Sequence, residues 1–343
     1  MAVGRSASSL NSKTQPVSQL TDNLFSSGTQ VEAVNLVQLS ALAPRLPLRK
    51  QKKILNQMSG HHASNIRGRG IDYSEVRQYQ PGDDIRTMDW RVTARTDSPH
   101  IKVFSEEKER PVLLVCDLRK GMQFATRKAF KSVVAADITA LLGWCALSGG
   151  DRIGALLFND ESEIDLRPKT GRKQVLSLIR SLTEMSAASG TTNANANASQ
   201  SSLPRMEQIC RQLRQVARPG SAIYFVSDWQ GYNEQAERQL YETLRHCDMT
   251  AIRIYDPLEQ EPPPAGLYDL TDGLTRGVLN TATERARRAH QQAFMERQRA
   301  LEKSLTRLRV PLIDIATSDD PLIRLRQGLG LNQNRKPSIG GKA

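Results

Sequence analysis

The chain has 343 residues, 38% of them apolar, which allows about two domains of roughly 150 residues with a buried core. This composition excludes a collagen, a coiled-coil rod and a disulfide-rich secreted module. With 48 Lys and Arg against 36 Asp and Glu, the net charge of +12 leaves nucleic acid, anionic lipid and acidic proteins as partners.

Residues 1–30 are rich in Ser, Thr, Gln and Asn and are expected to form a disordered tail. They lack the basic start and apolar stretch of a signal peptide. Residues 31–48 carry Val31, Val34, Leu36, Val37, Leu39, Leu42 and Leu46 near helical spacing, up to Pro44 and Pro47, which end the helix. Residues 48–110 are polar, basic and punctuated by Arg67-Gly68-Arg69-Gly70, Pro81-Gly82-Asp83-Asp84 and Asp97-Ser98-Pro99. Within them, 72–79, 90–94 and 100–104 read as strands or half-buried connections.

The texture changes at Arg110. Residues 111–117 (PVLLVCD) form a continuous apolar run that ends in an aspartate. Residues 127–147 have helical spacing, 151–159 form a second apolar strand, and 162–167 read as an edge strand. Residues 172–185 are helical, 186–202 are a low-complexity loop of small residues, and 203–216 are helical. Residues 221–228 (SAIYFVSD) are a third buried strand, again ending in aspartate. A helix over 234–246 and a strand over 249–255 follow. This alternation predicts an α/β fold with a mainly parallel sheet and helices on both faces. The near-continuous apolar strands agree with that burial.

Pro262-Pro263-Pro264 marks a turn, followed by a polar hairpin over 267–279 and a long Arg-rich helix over 283–308. A last strand over 311–316, a short helix over 321–329 and a tail from 332 complete the chain. The expected division is a tail (1–30), an N-terminal helix and motif region (31–109), an α/β domain (110–257), a basic helical extension with the last strand (258–331) and a second tail (332–343).

Cys116, Cys145, Cys210 and Cys247 form no CxxC pair and are read as reduced and structural. The best apolar stretch, 132–147, falls short of the roughly 20 residues of a membrane span and carries Asp137. A cytoplasmic protein is the expectation. His61-His62 lacks the i, i+3 or i, i+4 spacing of a helical metal pair. Neither a P-loop, an HExxH motif nor a nucleophile elbow is present.

In an open parallel sheet, ligands collect beyond the carboxyl ends of the strands. Asp117 and Asp228 end two strands, and Ser189-Gly190-Thr191-Thr192 lies between them in sequence. This arrangement resembles a von Willebrand factor A domain. That resemblance implies a Mg²⁺ site built from D-x-S-x-S after the first strand, a later threonine and an aspartate after a middle strand. Asp117, Asp228 and one of Thr191 or Thr192 match. In Asp117-Leu118-Arg119-Lys120-Gly121, however, both serine positions are lost, to Arg119 and Gly121. The expectation is a degenerate metal site without cofactor, in which Arg119 takes the cation's place and pairs with Asp117 or Asp228. Bound Mg²⁺ is the disfavoured alternative.

Upstream, Arg77, Tyr79, Pro81, Gly82, Asp83, Asp84, Arg86, Asp89, Trp90, Arg91 and Arg95 form a dense motif. Pro81-Gly82 is a turn that Asp83 can close. Arg77, Arg86, Arg91 and Arg95 are expected to pair with Asp83, Asp84, Asp89 or Glu106. RGIDYSEVRQYQPGDDIRTMDWRVTART, followed by EEKERPVLLVCDLR, resembles the DUF58 family over roughly residues 31–329. The resemblance implies a degenerate von Willebrand A-like domain without established catalysis, and a non-enzymatic adaptor that partners a MoxR-type AAA+ ATPase. The expected contact surface is Asp117, Arg119, the 189–202 loop and residues 228–231.

Two other readings stay open. Asp83, Asp84 and Asp89, or Asp117, could serve a metal-dependent hydrolase or nuclease, although interleaved arginines would neutralise them. The basic helix could bind nucleic acid, but it offers only Phe294 for stacking. An acidic protein surface is therefore the favoured partner and nucleic acid is disfavoured.

Overall fold

Continuous apolar strands fold into a layer covered on both faces. The computed structural model describes residues 24–48, 71–81, 83–96, 98–106, 110–188, 204–271 and 276–331. Most of the N-terminal tail, His61-His62, Gly82, the loop with Thr191 and Thr192, and the C-terminal tail, for all of which the sequence raises expectations, lie outside these residues. The chain forms two compact units, one of residues up to 48 and from 110 onward, the other within 49–109. The helical segment near residue 40 thus belongs with the α/β unit, not with the motif region.

In the first unit, α1 (Ala33–Gln38) runs into a 3₁₀ turn (Leu39–Arg45). In the second, β1 (Ile71–Gln78) is followed by α2 (Trp90–Thr96) and by β2 (His100–Glu106), which pairs antiparallel with β1. The segment 90–94, expected as a strand or connection, is helical instead. The reason is local: Asp89 accepts hydrogen bonds from the backbone N–H groups of Arg91 (3.1 Å) and Val92 (3.2 Å), capping the helix start.

The α/β unit continues with β3 (Pro111–Asp117), α3 (Lys131–Ser148), β4 (Arg152–Phe158), β5 (Glu163–Lys169), α4 (Arg172–Ala188) and α5 (Arg205–Val216). Then come β6 (Ala222–Ser227), α6 (Glu234–Leu244), β7 (Asp248–Tyr255), α7 (Pro257–Gln260) and the hairpin β8 (Leu267–Thr271) and β9 (Arg276–Asn280). The unit closes with α8 (Glu284–Arg307), β10 (Leu312–Ala316) and α9 (Pro321–Gly328).

Six strands form one sheet in the order β10-β7-β6-β3-β4-β5, parallel except for the edge strand β5. The α/β fold read from the sequence is present. Alternation along β3 sends Val112, Leu114 and Cys116 into a core with α1, α3, α4 and α9. Leu113 and Val115 face a second core with α5, α6 and α8. Among the described residues α3 is the one helix long and apolar enough to cross a membrane, and it is 89% buried inside the unit. The α1 segment covers its outer side, where Trp144 Nε1 donates to the Leu36 carbonyl (2.9 Å). Ser26 donates through its backbone N–H and its hydroxyl to the buried Asp137, both at 2.8 Å.

Candidate functional site

The order of strands reverses between β3 and β6, so the connections leaving their carboxyl ends run in opposite directions, the place where such sheets form a crevice. Asp117 closes β3 there and is fully buried; Asp228 follows β6.

Arg119 curls back onto Asp117. Its Nη2 reaches Oδ2 at 2.6 Å, its Nε reaches Oδ1 at 3.0 Å, and its backbone N–H donates to Oδ1 at 3.1 Å. The Ser227 hydroxyl donates to the same Oδ2 at 2.6 Å and accepts from the Trp229 backbone N–H at 2.9 Å. Arg119 Nη2 also approaches Asp228 Oδ1 (3.5 Å) and donates to the Gln230 carbonyl (3.1 Å). The guanidinium lies 5.7 Å from the Phe158 ring centroid.

Lys131, the first residue of α3, completes the cluster. It is fully buried, and its Nζ donates to Asp228 Oδ2 (3.0 Å) and Glu259 Oε1 (2.7 Å). Glu259 is held by the α7 capping box, in which its Oε2 accepts from the Asp256 backbone N–H at 3.0 Å. Asp256 accepts from the Thr126 backbone (3.0 Å), the Thr126 hydroxyl (2.7 Å) and the Thr317 hydroxyl (2.6 Å). It ties the 126 loop to the ends of the sheet.

The electrostatics follow from burial and pairing. Burial pushes the Asp117 carboxyl up, against the stabilising pull of Arg119 and Ser227. Burial works to lower the Arg119 guanidinium, yet Asp117, Asp228 and Asp160 outweigh it and raise it. These two directions oppose each other, and the fork geometry on Asp117 decides for the ionised pair. For Lys131, burial is likewise outweighed by Asp228 and Glu259, which raise its pKa. Asp256 is held below the usual carboxylate range because its hydrogen bonds outweigh burial.

Asp117, Arg119 and Asp228 thus meet in one cluster. A Cβ on Gly121 would stand 3.7 Å from Asp228 Oδ2, so Gly121 borders it. Sequence reasoning missed Lys131, Ser227, Glu259 and Asp256. The one visible signal was a lysine opening an apolar helical run. A groove of about 580 Å³ adjoins the cluster, bordered by Asp228, Tyr232, Tyr255, Glu259, Phe294 and Lys303.

The motif carboxylates of the second unit have other partners than expected. Among the described residues only Arg77 pairs as foreseen, with Asp83 at 2.7 Å. That hydrogen bond, with one from the Gln80 backbone, holds the Asp83 carboxyl low. Asp84 accepts from the Arg86 backbone N–H (3.0 Å) and caps a 3₁₀ turn, Ile85–Thr87. Asp89 caps α2 and stands 3.8 Å from the Lys102 ammonium. A backbone N–H two residues away satisfies a carboxylate without ordering a long arginine side chain, so capping wins. Among the described residues no three His, Cys, Asp or Glu side chains are placed to hold a metal ion.

The model of a family described as "Protein of unknown function DUF58" matches residues 75–301. An uncharacterised protein of Mycobacterium bovis is 30% identical over 242 residues, covering 70% of this chain and 73% of that protein. An uncharacterised protein of Mycobacterium tuberculosis matches to the same extent. Among solved structures, conserved hypothetical protein BatB from Bacteroides thetaiotaomicron aligns at a TM-score of 0.34 with 12% identity, covering 58% of this chain and 98% of its own. An aerotolerance-related membrane protein from Bacteroides fragilis aligns at 0.39 with 13% identity, covering 65% and 100%.

Proposed function

The chain belongs to the DUF58 family, and from that premise we propose that it is a non-enzymatic adaptor with a degenerate metal site. The observation that carries this reading is the pairing of both switch-point carboxylates with cationic side chains of the chain itself. Asp117 already accepts from Arg119 and Ser227, and Asp228 from Lys131 and Gln230. Mg²⁺ demands near-octahedral oxygen ligands at about 2.1 Å. A guanidinium and an ammonium on those oxygens do not fit it, because they fill its ligand positions with like charge. The cluster is then a buried brace that fixes the exposed Gly121, Gln230 and Gly231 beside it as a surface for contact, not a site of bond cleavage.

The partner in this reading is a MoxR-type AAA+ ATPase, in protein assembly or chaperone-like work in the cytoplasm. The partner rests on the resemblance carried by residues 77–95, and the +12 charge favours an acidic face on it. Two geometric points support this reading over the alternatives. Asp84 and Asp89 serve as backbone caps, which leaves little for a hydrolytic metal. Phe294 is buried, so α8 offers no exposed aromatic there for stacking bases.

The test is size-exclusion chromatography of the purified chain with a purified MoxR-type AAA+ ATPase. Co-elution that Arg119→Glu abolishes supports the adaptor; separate elution at tens of micromolar of each removes it.

A further inference from the structure

The motif segment offers a surface that its sequence conceals. Capping by Asp84 and Asp89 leaves the nearby arginines without the carboxylates that the sequence places beside them. Arg86, Arg91 and Arg95 are exposed, and among the described residues none of the three forms an ion pair. Arg91 and Arg95 are four residues apart on α2 and share one helix face. Ala94 is exposed beside them, while Val92 and Thr93 are half-buried toward the hairpin; Thr93 Oγ1 accepts from the His100 backbone N–H at 3.0 Å. Trp90, the first residue of the helix, is 67% exposed, and Ile85, in the turn before it, is 60% exposed.

Single exposed apolar residues are ordinary, but a tryptophan and an isoleucine among three unpaired guanidiniums within eleven residues are a different pattern. Trp and Arg are the side chains that dominate binding energy at protein interfaces. Exposed guanidiniums without a carboxylate partner among the described residues can take complementary charge from outside. Among the described residues of this segment Trp90 is the one exposed ring, whereas single-stranded nucleic acid is held on successive aromatic platforms.

We infer that Ile85, Arg86, Trp90, Arg91 and Arg95 dock an acidic protein segment that also presents an apolar side chain. This rests on the adaptor reading and gives it a second contact surface, separate in sequence from Asp117 and Asp228. In the complex the guanidiniums take carboxylates in the planar fork geometry that lysine does not supply. Trp90 and Ile85 cover the apolar side chain.

The test uses the full chain and fluorescence anisotropy of a fluorescein-labelled peptide of repeated Glu-Glu-Leu triplets. Saturable binding is expected, weakened about ten-fold or more in R91E/R95E and several-fold in W90A, but retained in W90F. A repeated Gln-Gln-Leu peptide is expected to bind far more weakly. R285E/R288E on α8, a charge change of equal size elsewhere, should leave binding unchanged. Circular dichroism identical to the wild type shows that each variant is folded. The inference is overturned if the acidic peptide does not bind, if R91E/R95E binds it as wild type does, or if the α8 variant loses it equally. It is also overturned if labelled oligo-dT binds more tightly than the peptide and is lost in R91E/R95E, which would make the face a nucleic-acid contact. The adaptor reading is judged separately, by co-elution with the ATPase and its dependence on Arg119. Either result can fail without the other.

Discussion

Replacing Lys131 with methionine keeps most of the length of a fully buried side chain and removes its charge. The ammonium now stands 3.0 Å from Asp228 and 2.7 Å from Glu259. Removing one member of a buried ion pair costs about 3–5 kcal/mol, because the other charge stays buried without it. The lower end applies here. Asp228, 4% exposed, keeps Arg119 at 3.5 Å and the Gln230 N–H, while Glu259 is 23% exposed and gains water. We expect K131M to lose about 3 kcal/mol, or roughly 6–12 °C in melting temperature. Urea unfolding followed by tryptophan fluorescence measures this, since Trp144 and Trp229 are buried in the α/β unit. D228N/K131M should lose less than the two single losses combined, with a coupling of about 1–3 kcal/mol. The sign with pH is set by the raised Lys131 pKa. The stabilisation is complete below the unfolded lysine value near 10.4 and is lost as pH rises through the folded one, so the deficit should persist unchanged through neutral pH. A K131M variant within about 0.5 kcal/mol of wild type, or additive losses in the cycle, would refute a buried, energetically coupled pair.

Burial raises the Asp137 carboxyl to about 7 in spite of its hydrogen bonds from Ser26. The folded state then binds the extra proton between about pH 4 and 7, so stability falls as pH rises through that window. D137N should flatten the dependence and gain up to about 4 kcal/mol relative to wild type at pH 8, read from urea midpoints at several pH values. Trp144→Phe leaves the buried Leu36 carbonyl without its donor and should cost about 1–3 kcal/mol, with early loss of hydrogen-exchange protection in α1. Gly154→Ala would place a Cβ 2.9 Å from the Leu166 carbonyl oxygen and 2.8 Å from Pro168 Cγ, which forces β5 to shift. A loss of about 1–3 kcal/mol in thermal unfolding is expected, and a neutral result would contradict the close approach of these strands.

The sheet was legible because buried parallel strands are written as unbroken apolar runs, as in 111–117 and 221–228. Asp117 and Asp228 stood out because each ends such a run. Lys131 did not, because a lone lysine ahead of an apolar helix reads as a solvated end, and its partners lie 97 and 128 residues away. The α2 helix was hidden by Val92, Thr93 and Thr96, whose β-branched side chains favour strands. The deciding signal was Asp89 as a cap. Arg86, Arg91 and Arg95 were misjudged for a related reason, while Arg77 pairs with Asp83 as expected. Sequence shows that Arg and Asp alternate, but not that the aspartates turn to their own backbone.

Isothermal titration of the wild-type chain with Mg²⁺ and Mn²⁺ bears most directly on whether Arg119 and Lys131 stand where a divalent ion would. With the carboxylates of Asp117 and Asp228 held by these cations, no saturable heat is expected up to millimolar metal. Micromolar binding to the wild type that disappears in Asp117→Ala would show that the ion displaces the side chains, and would contradict the assignment of this cluster as a fixed, metal-free brace.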